Sequence, residues 1–440
     1  MKATLTVSSR KSRRGTAADR GKVIRWPEPA SGAAGESQRK PPLHSLRRLG
    51  PGVVTGAANV DPSLVVTATV AGAAYHYSVL WVVLLCVPIL IAVYACSSRI
   101  GYETRKGLVD LLRENYGQHW AIACAAVVIV INMAMIIADL MAVSDAFSII
   151  LNQRRAFFVG AVAFSVWYIL IFRDYRKITR ALLWLSLPLF VYVASAVIAT
   201  PSPLALLHRT FLPQVVRSGS YVAAVVAIFG SLLTPYILVW QTSSRREHAV
   251  IGEETPHMAQ SRAGTVVTTL LSFSIIIAAG AVLHLSRPVE MTTRQAAEAL
   301  HPAAGDYGQF LFALGIIGAG MVALPVLVAS LCYSLAEAMG WRAGLSEHPW
   351  EAKRFYGLIS AAVFVAAAAN FLPINPVKAL FWSQILAGVL TIPVLLFILL
   401  LSNDRRVMHT TNTAGQNFWI GAGLGGLVAA AIVWVWWGLG

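Results

Sequence analysis

The fold of this chain is decided by residues 50–63, which read GPGVVTGAANVDPS. Asp61 is the only ionisable residue in this stretch, which opens an apolar block ending near residue 74. Proline lacks a backbone N–H and clashes with the preceding helical turn, so Pro62 predicts a break in a helix. A carboxylate inside an apolar segment is unfavourable unless it meets a positive charge or takes up a proton. The pattern therefore predicts a broken helix with a working site at Asp61.

The composition of the chain indicates an integral membrane protein. Of its 440 residues, 57% are hydrophobic and only 12% are charged, whereas soluble domains carry about 25% charged residues. The apolar residues form blocks of about 18 or more, which can cross a bilayer core of ~30 Å. The formal net charge of +15 would suggest nucleic acid for a soluble protein. Here we expect the lipid bilayer as partner and no nucleic acid, because the basic residues gather in loops.

The chain divides into a basic tail and one transmembrane domain. Residues 1–45 are rich in Arg, Lys, Ser, Gly and Pro and are predicted to be a disordered cytoplasmic tail. Residues 46–440 are predicted to form a single transporter domain, and nothing in them fixes the oligomeric state, for which a monomer is plausible. We predict eleven apolar spans, at about 50–74, 79–97, 119–150, 156–172, 181–199, 219–241, 264–286, 306–339, 355–371, 377–401 and 417–438.

The charges of the loops support this count. With a cytoplasmic N-terminus, the tail and the inside loops hold 28 Lys and Arg, while the outside loops hold 6. Basic residues accumulate in cytoplasmic loops, and a wrong helix count would mix the two sets. We therefore predict an integral protein of the bacterial inner (plasma) membrane, with the N-terminus inside and the C-terminus outside.

A second break lies in span 6, at residues 230–236, which read GSLLTPY and include Thr234-Pro235. If spans 1–5 and 6–10 are two halves, both breaks occupy the first span of a half. Interrupted helices at matching places point to a transporter's midplane site. Halves of five spans must be inverted, so we predict repeats at about 49–199 and 218–401 and an extra helix at about 417–438. The alternative is that each proline causes an ordinary kink.

Several motifs, in this order along the chain, resemble the Nramp family of divalent-metal transporters. The similarity covers about residues 48–438. It is carried by Gly50-Pro51-Gly52, Thr55-Gly56-Ala57, Asp61-Pro62-Ser63, Tyr77-Ser78-Val79-Leu80-Trp81, Thr234-Pro235-Tyr236, Ala323-Leu324-Pro325-Val326-Leu327, Asn375-Pro376-Val377-Lys378 and Asn403-Asp404-Arg405-Arg406.

The resemblance implies an all-α membrane fold of the LeuT type, with a 5+5 inverted repeat, broken helices 1 and 6 and an eleventh helix. It also implies proton-linked transport of a divalent metal (the Mg, Mn or Fe class) by alternating access, with the ion as substrate and no cofactor. The chain departs from the family in two motifs. Asp-Pro-Gly-Asn of helix 1 reads Asp61-Pro62-Ser63-Leu64 here, and Met-Pro-His of helix 6 reads Thr234-Pro235-Tyr236.

These departures change the expected metal ligands. Asp61 would supply the only formal charge, Thr234 a hydroxyl, and the backbone near Ser231 and Asn59 carbonyl oxygens. Oxygen ligands suit Mg²⁺, Ca²⁺ or Mn²⁺, whereas sulfur favours softer transition metals. The loss of the family's Met therefore moves the preference towards a harder ion such as Mg²⁺, which would keep part of its water because one carboxylate is a sparse site.

Other polar residues in the spans are candidates for the proton and substrate pathways. Asp139 is a candidate proton carrier, and Asn132 lies two turns before it, where family members often carry a second acid. A structural hydrogen bond is the alternative role for Asp139. The residues expected to line the pathway are Ser63, Tyr236, Gln241 and Gln384. Helix packing is the alternative role for these pathway residues. Glu337, near the inner end of span 8, is expected to be solvated.

Two other functions remain open at the level of sequence. A LeuT-type carrier of a small organic solute could use Asp61 and the dipoles of the helix ends. A sensor built on a transporter fold could bind a ligand without moving it. An enzyme is not expected, because no nucleophile–base pair and no paired carboxylates beside a candidate metal are found.

Overall fold

The computed structural model describes residues 60–172, 184–199, 202–212, 214–251, 257–283, 288–345 and 347–439. The predicted tail 1–45 and the ligand candidate Asn59 lie outside these residues. Within the described ranges the chain is helical, with turns and 3-10 segments between the helices and no β-strand.

The helices follow one another along the chain with short connections. The 3-10 turn His76–Val79 joins the first two, and short helical turns fill the stretch from Pro288 to Tyr307. The helices are α1 Pro62–Tyr75, α2 Leu80–Thr104, α3 Leu108–Asn115, α4 Gln118–Leu151, α5 Ala156–Phe172, α6 Trp184–Ala199, α7 Pro203–Phe211, α8 Gly219–Leu232, α9 Pro235–Ile251, α10 His257–Val282, α11 Gly308–Met339, α12 Lys353–Ala369, α13 Pro376–Asn403 and α14 Ala414–Leu439.

The helices agree with the predicted spans. In the described part of the chain, seven stretches are long and apolar enough to cross a membrane, one of which holds both α1 and α2. Two shorter apolar helices, α5 and α6, fall on spans 4 and 5, and α12, with 17 residues, falls on span 9. Each of the eleven predicted spans thus coincides, at least in part, with a described helix. The prediction of an all-helical integral membrane protein is confirmed.

The break predicted in span 6 is present. Helix α8 ends at Leu232, Leu233 leaves the helical conformation, and Pro235 opens α9. Proline is favoured in the first turn of a helix, where its missing N–H would have no partner within the helix. In span 1, Asp61 is an extended N-cap residue and Pro62 begins α1. The half of span 1 before Val60 lies outside the described residues.

Close backbone contacts bring the broken helices against their neighbours. The most extensive packing is between α4 and α11. A Cβ on Gly72 of α1 would lie 2.5 Å from the carbonyl oxygen of Ile276 in α10. A Cβ on Gly230 of α8 would lie 2.6 Å from the backbone nitrogen of Gly388 in α13. Only glycine permits such approaches, which set the position of α1 and of the break in span 6 within the bundle.

Candidate functional site

Asp61 is fully buried at the start of α1. Its Oδ1 accepts a hydrogen bond from the backbone N–H of Leu64 at 2.7 Å, which satisfies one free donor of the helix end. Its Oδ2 accepts a hydrogen bond from the hydroxyl of Tyr236 at 3.1 Å. Tyr236 belongs to the first turn of α9, so this bond joins the start of α1 to the break in span 6. The structure therefore brings together the two Pro-containing motifs that the sequence suggested were partners.

A second buried carboxylate is tied to the same helix end. Ser63, two residues after Asp61, donates its hydroxyl to Oδ1 of Asp139 at 2.5 Å. Asp139 is fully buried in α4, and its Oδ2 has no hydrogen-bond partner within the described residues. Two carboxylates thus converge on the first turn of α1 from different helices. Ser63, expected only to line the pathway, is the link between them.

The other wall of the site is the end of α8. The Thr234 hydroxyl is buried and makes no hydrogen bond of good geometry within the described residues. The Ser231 hydroxyl bonds back to the carbonyl of Ile228 at 2.9 Å. The carbonyl of Leu232, freed by the break, accepts from the hydroxyl of Tyr94 at 3.2 Å. The sequence analysis missed Tyr94, whose only signal was a hydroxyl inside apolar span 2.

Gln384 supplies an unpaired amide beside the same break. It is fully buried in α13, and neither its Oε1 nor its Nε2 has a hydrogen-bond partner within the described residues. A Cβ on Gly230 of α8 would meet the backbone carbonyl of Gln384, so the two helices touch at this level. A buried amide without partners is unfavourable. Gln384 is thus a buried amide without a described partner, on the helix that packs against the end of α8.

Two further candidates lie away from the carboxylates. Gln241 is seven residues beyond Thr234 in α9 and has an unpaired Oε1. The amide nitrogen of Asn132 donates to the carbonyl of Leu327 at 3.4 Å, and its Oδ1 is unpaired within the described residues. Asn132 therefore lies between α4 and α11, and no described contact connects it with Asp61.

The site is closed at the end where α8 begins. The hydroxyl of Tyr221 donates to the carbonyl of Ser78 at 2.8 Å and accepts from Nε1 of Trp81 at 3.0 Å. The rings of Tyr75 and Tyr221 meet edge to face at 5.1 Å. Asp61, buried completely, is therefore held in an occluded arrangement.

The expectation of a solvated Glu337 is wrong. Its side chain is only 5% exposed, although it lies two residues before the end of α11. Its carboxylate accepts from the hydroxyl of Ser243 at 2.6 Å and from the backbone N–H of Val109 at 3.2 Å. Helix α3 and the end of α9 cover this carboxylate, and that packing could not be seen from the position of Glu337 in its span.

The donors at the break are oxygen atoms. The Asp61 carboxylate and the Tyr236 hydroxyl are in contact there, the Thr234 hydroxyl belongs to the break itself, and Gln384 lies on α13 where that helix contacts Gly230. Within the described residues, no group of three or more His, Cys, Asp or Glu is arranged to hold a metal ion. One buried carboxylate with neutral oxygens can attract a cation that keeps part of its hydration shell. The described residues do not form a site in which several carboxylates enclose the ion.

Comparisons with known proteins converge on one family. Residues 52–437 match the family described as Natural resistance-associated macrophage protein-like. The chain is similar to the "Divalent metal cation transporter MntH" of Caldanaerobacter subterraneus, with 21% identity over 82% of this chain and 86% of the relative. The protein of the same name from Deinococcus radiodurans is 24% identical over 88% and 87% of the two chains. The solved manganese transporter of Eremococcus coleocola shares the fold, with a TM-score of 0.67 at 14% identity and coverage of 91% and 88%.

Proposed function

The chain belongs to the natural resistance-associated macrophage protein (Nramp) family, and we propose that it carries a divalent metal cation across the membrane, with Asp61 as the charged ligand. The observation that supports this most directly is the Tyr236–Asp61 hydrogen bond, which joins the start of α1 to the break in span 6 at a fully buried carboxylate. Free helix ends and unpaired oxygens at a break are the features from which transporters build midplane ion sites. The two relatives described above are named as divalent metal cation transporters.

Transport would proceed by alternating access about the two breaks. In the occluded arrangement the Asp61 carboxylate is held by Leu64 and Tyr236. Release to one side requires the half-helix α9 to move away from Asp61. Because each half-helix ends at the site, such a movement changes the ligands of the ion directly. An integral membrane protein built in this way needs no resident cofactor for the step.

The donor atoms favour a hard ion such as Mg²⁺, with Mn²⁺ next. Thr234 and Tyr236 stand where the family pattern carries Met and His, so the helix 6 break offers hydroxyl oxygens and no sulfur or imidazole. Carboxylate, hydroxyl and amide oxygens suit Mg²⁺, Ca²⁺ and Mn²⁺. Mg²⁺ usually keeps several waters when it is bound by one or two carboxylates, which fits the single charge of Asp61.

Asp139 is the proposed proton carrier. Its Oδ1 is fixed by Ser63, and its Oδ2 is buried and unpaired within the described residues. An uncompensated buried carboxylate gains a proton readily when no cation is near. The Ser63 hydroxyl holds the Asp139 carboxylate next to the ion-binding end of α1. A movement of Asp61 when the ion binds would therefore also move Ser63, which is in the same helix turn, and so alter the contact with Asp139.

The membrane and orientation are also part of the proposal. The asymmetry of Lys and Arg between the loops supports an N-terminus in the cytoplasm and a C-terminus outside, in a bacterial inner membrane. On this orientation, the end of α9 and α3 lie on the cytoplasmic side, and Tyr221 lies on the outer side.

The test is ion flux into proteoliposomes that contain the purified full-length protein and a fluorescent indicator. Mg²⁺, Mn²⁺ and Ca²⁺ are supplied separately at millimolar levels, with a lumenal pH dye to follow protons. We expect saturable uptake of at least one ion, acidification of the lumen during uptake, and strong loss of uptake in Asp61→Ala. Protein-free vesicles are the control for leak.

Each outcome decides between functions. If none of the three ions is taken up and none competes, the metal proposal is refuted, and a carrier of a small organic solute becomes the favoured function. Binding of an ion without flux would favour a sensor. Uptake without acidification would leave a metal uniporter and remove the role given to Asp139.

A further inference from the structure

Glu337 forms a junction of three helices at one end of the molecule. Its Oε1 accepts from the hydroxyl of Ser243 in α9 at 2.6 Å, and its Oε2 accepts from the backbone N–H of Val109 in α3 at 3.2 Å. Gly107 lies directly against the carboxylate, because a Cβ at this position would coincide with the carboxylate atoms. The group is 5% exposed. A carboxylate from α11 thus forms hydrogen bonds both with the start of α3 and with the third turn of α9.

Two neighbouring contacts join the same elements. The backbone N–H of Leu108 donates to the hydroxyl of Thr242 in α9 at 3.2 Å. The guanidinium of Arg113 in α3 donates to the backbone carbonyl of Glu337 at 2.5 Å and pairs with Asp110 at 3.0 Å. Arg113 is therefore engaged elsewhere, and the described partners of the Glu337 carboxylate are neutral donors.

We propose that Glu337 is a latch that holds the cytoplasmic side of the transporter closed by binding Ser243 and the amino end of α3. This rests on the alternating-access carrier proposed above. Helix α9 begins at Pro235, beside the ion site, and carries Ser243 in its third turn, so this part of α9 must leave α11 before the site can open on that side. The contact of Glu337 with Ser243 lies across the surface that must separate, while α11 packs on helix α4.

The latch is strongest with a carboxylate. Its described donors are the Ser243 hydroxyl and the backbone N–H groups of Val109 and Asp110 at the start of α3, and hydrogen bonds to a charged acceptor are stronger than neutral ones. Glutamine is neutral, and its NH₂ group can face the Ser243 hydroxyl only if that hydroxyl turns to accept. Glu337→Gln therefore replaces the charge-assisted bonds with weaker neutral ones without a large change of volume. Ser243→Ala loses one bond from the other side, and Gly107→Ala displaces the carboxylate by its added methyl group.

The test measures from which side of the membrane a water-soluble reagent can reach α9. Val239, buried in α9 between the ion site and Ser243, is replaced by cysteine as a reporter. The background lacks the native cysteines, which are all buried. An impermeant thiol reagent is applied to intact cells, which expose the outer face, and to inverted membrane vesicles, which expose the cytoplasmic face. No metal is added, so the result does not depend on whether the carried substrate is a metal ion.

We expect Ser243→Ala, Glu337→Gln and Gly107→Ala each to raise the labelling rate in inverted vesicles about tenfold, as the loss of one hydrogen bond to a charged group implies. Labelling in intact cells should stay the same or fall. The pair Ser243→Ala with Glu337→Gln should label within about twofold of the faster single variant, because both remove the same contact. Ser243→Thr, which keeps the hydroxyl, should behave like the parent.

The matched control is Ser334→Ala. Ser334 lies one turn before Glu337 in α11, and its hydroxyl bonds only within its own helix, to the carbonyl of Ser330 at 2.8 Å. Unchanged labelling in the latch variants would overturn the proposal. An equal rise from both faces would also overturn it, since that indicates general loosening. A thermal unfolding measurement on each variant identifies such loosening independently.

Discussion

Replacing Asp61 with asparagine separates the charge of the site from its architecture. Asn and Asp are about equally good N-cap residues, so the amide oxygen can keep the 2.7 Å bond to the Leu64 N–H. The new NH₂ group would face the Tyr236 hydroxyl, which can turn to accept because a phenol is both donor and acceptor. We therefore expect Asp61→Asn to change the free energy of unfolding by less than about 1 kcal/mol.

The effect on ion binding should be far larger. A unit charge 4 Å from a dication contributes about 8 kcal/mol at an effective dielectric constant of 20, twice the value for two unit charges. Desolvation of the ion and the carboxylate offsets much of this, and removal of one buried charge partner usually amounts to about 2–5 kcal/mol. The dissociation constant of the carried cation should rise by about 30-fold to a few thousand-fold.

Two measurements on the same preparation test this prediction. Titration calorimetry in detergent gives the dissociation constant for Mg²⁺ and Mn²⁺, and thermal unfolding without metal gives the stability. Asp306→Asn is the matched control, because Asp306 lies in an exposed turn and undergoes the same chemical change. Its affinity and stability should equal those of the parent.

Either of two results would refute the reasoning. An Asp61→Asn affinity within about threefold of the parent would mean that Asp61 is not the charged ligand, and would leave Asp139, which is linked to the first turn of α1 through Ser63, as the remaining described acid there. A loss of affinity accompanied by an equal loss of stability would mean that Asp61 acts through the fold. Weak binding in a stable protein is the expected combination.

Three further predictions address the surroundings of the ion. Gly230→Ala should lower the unfolding temperature by several degrees, because its Cβ would lie 2.6 Å from a backbone nitrogen of α13. Gly421→Ala is the control and should leave the unfolding temperature unchanged, because its Cβ would have no neighbour within 4 Å. Ser63→Ala removes the hydroxyl donor of Asp139, so lumenal acidification per ion carried should fall while the calorimetric affinity stays within about twofold; unaltered acidification would contradict the coupling. Thr234→Met should raise the affinity for Mn²⁺ relative to Mg²⁺ about tenfold, since a thioether favours the softer ion; an unchanged ratio in calorimetry would mean that Thr234 is not a ligand.

Much of the fold could be read from the sequence because the bilayer imposes simple rules. Apolar length predicted the spans, and the bounds of α4 and α5 differ by at most one residue from those expected. Pro235 marked the end of α8 to within a few residues, since proline cannot continue a helix from inside it. The inverted relation of the two halves and the orientation in the membrane remain predictions.

The site itself was predicted less completely. Asp61, Tyr236 and Ser63 were recognised as candidates, but the contacts of Tyr236 and Ser63 were not predicted. Tyr236 is a hydrogen-bond donor to Asp61, and Ser63 connects α1 to Asp139. Tyr94 was not recognised, because its hydroxyl matters only where α2 passes the freed carbonyl of Leu232.

The sequence by itself determined that this chain lies in the membrane, where its helices run, and where span 6 breaks, because those properties depend on local hydrophobicity and on the covalent structure of proline. Only the tertiary structure decided which groups meet: Asp61 with Tyr236, Asp139 with Ser63, and Glu337 with Ser243. These pairs are 76 to 175 residues apart in the chain, and their contact depends on how helices pack. Position within a span made Glu337 look solvated, but burial is set by the neighbouring helices that cover a residue, and these are not encoded in its local sequence.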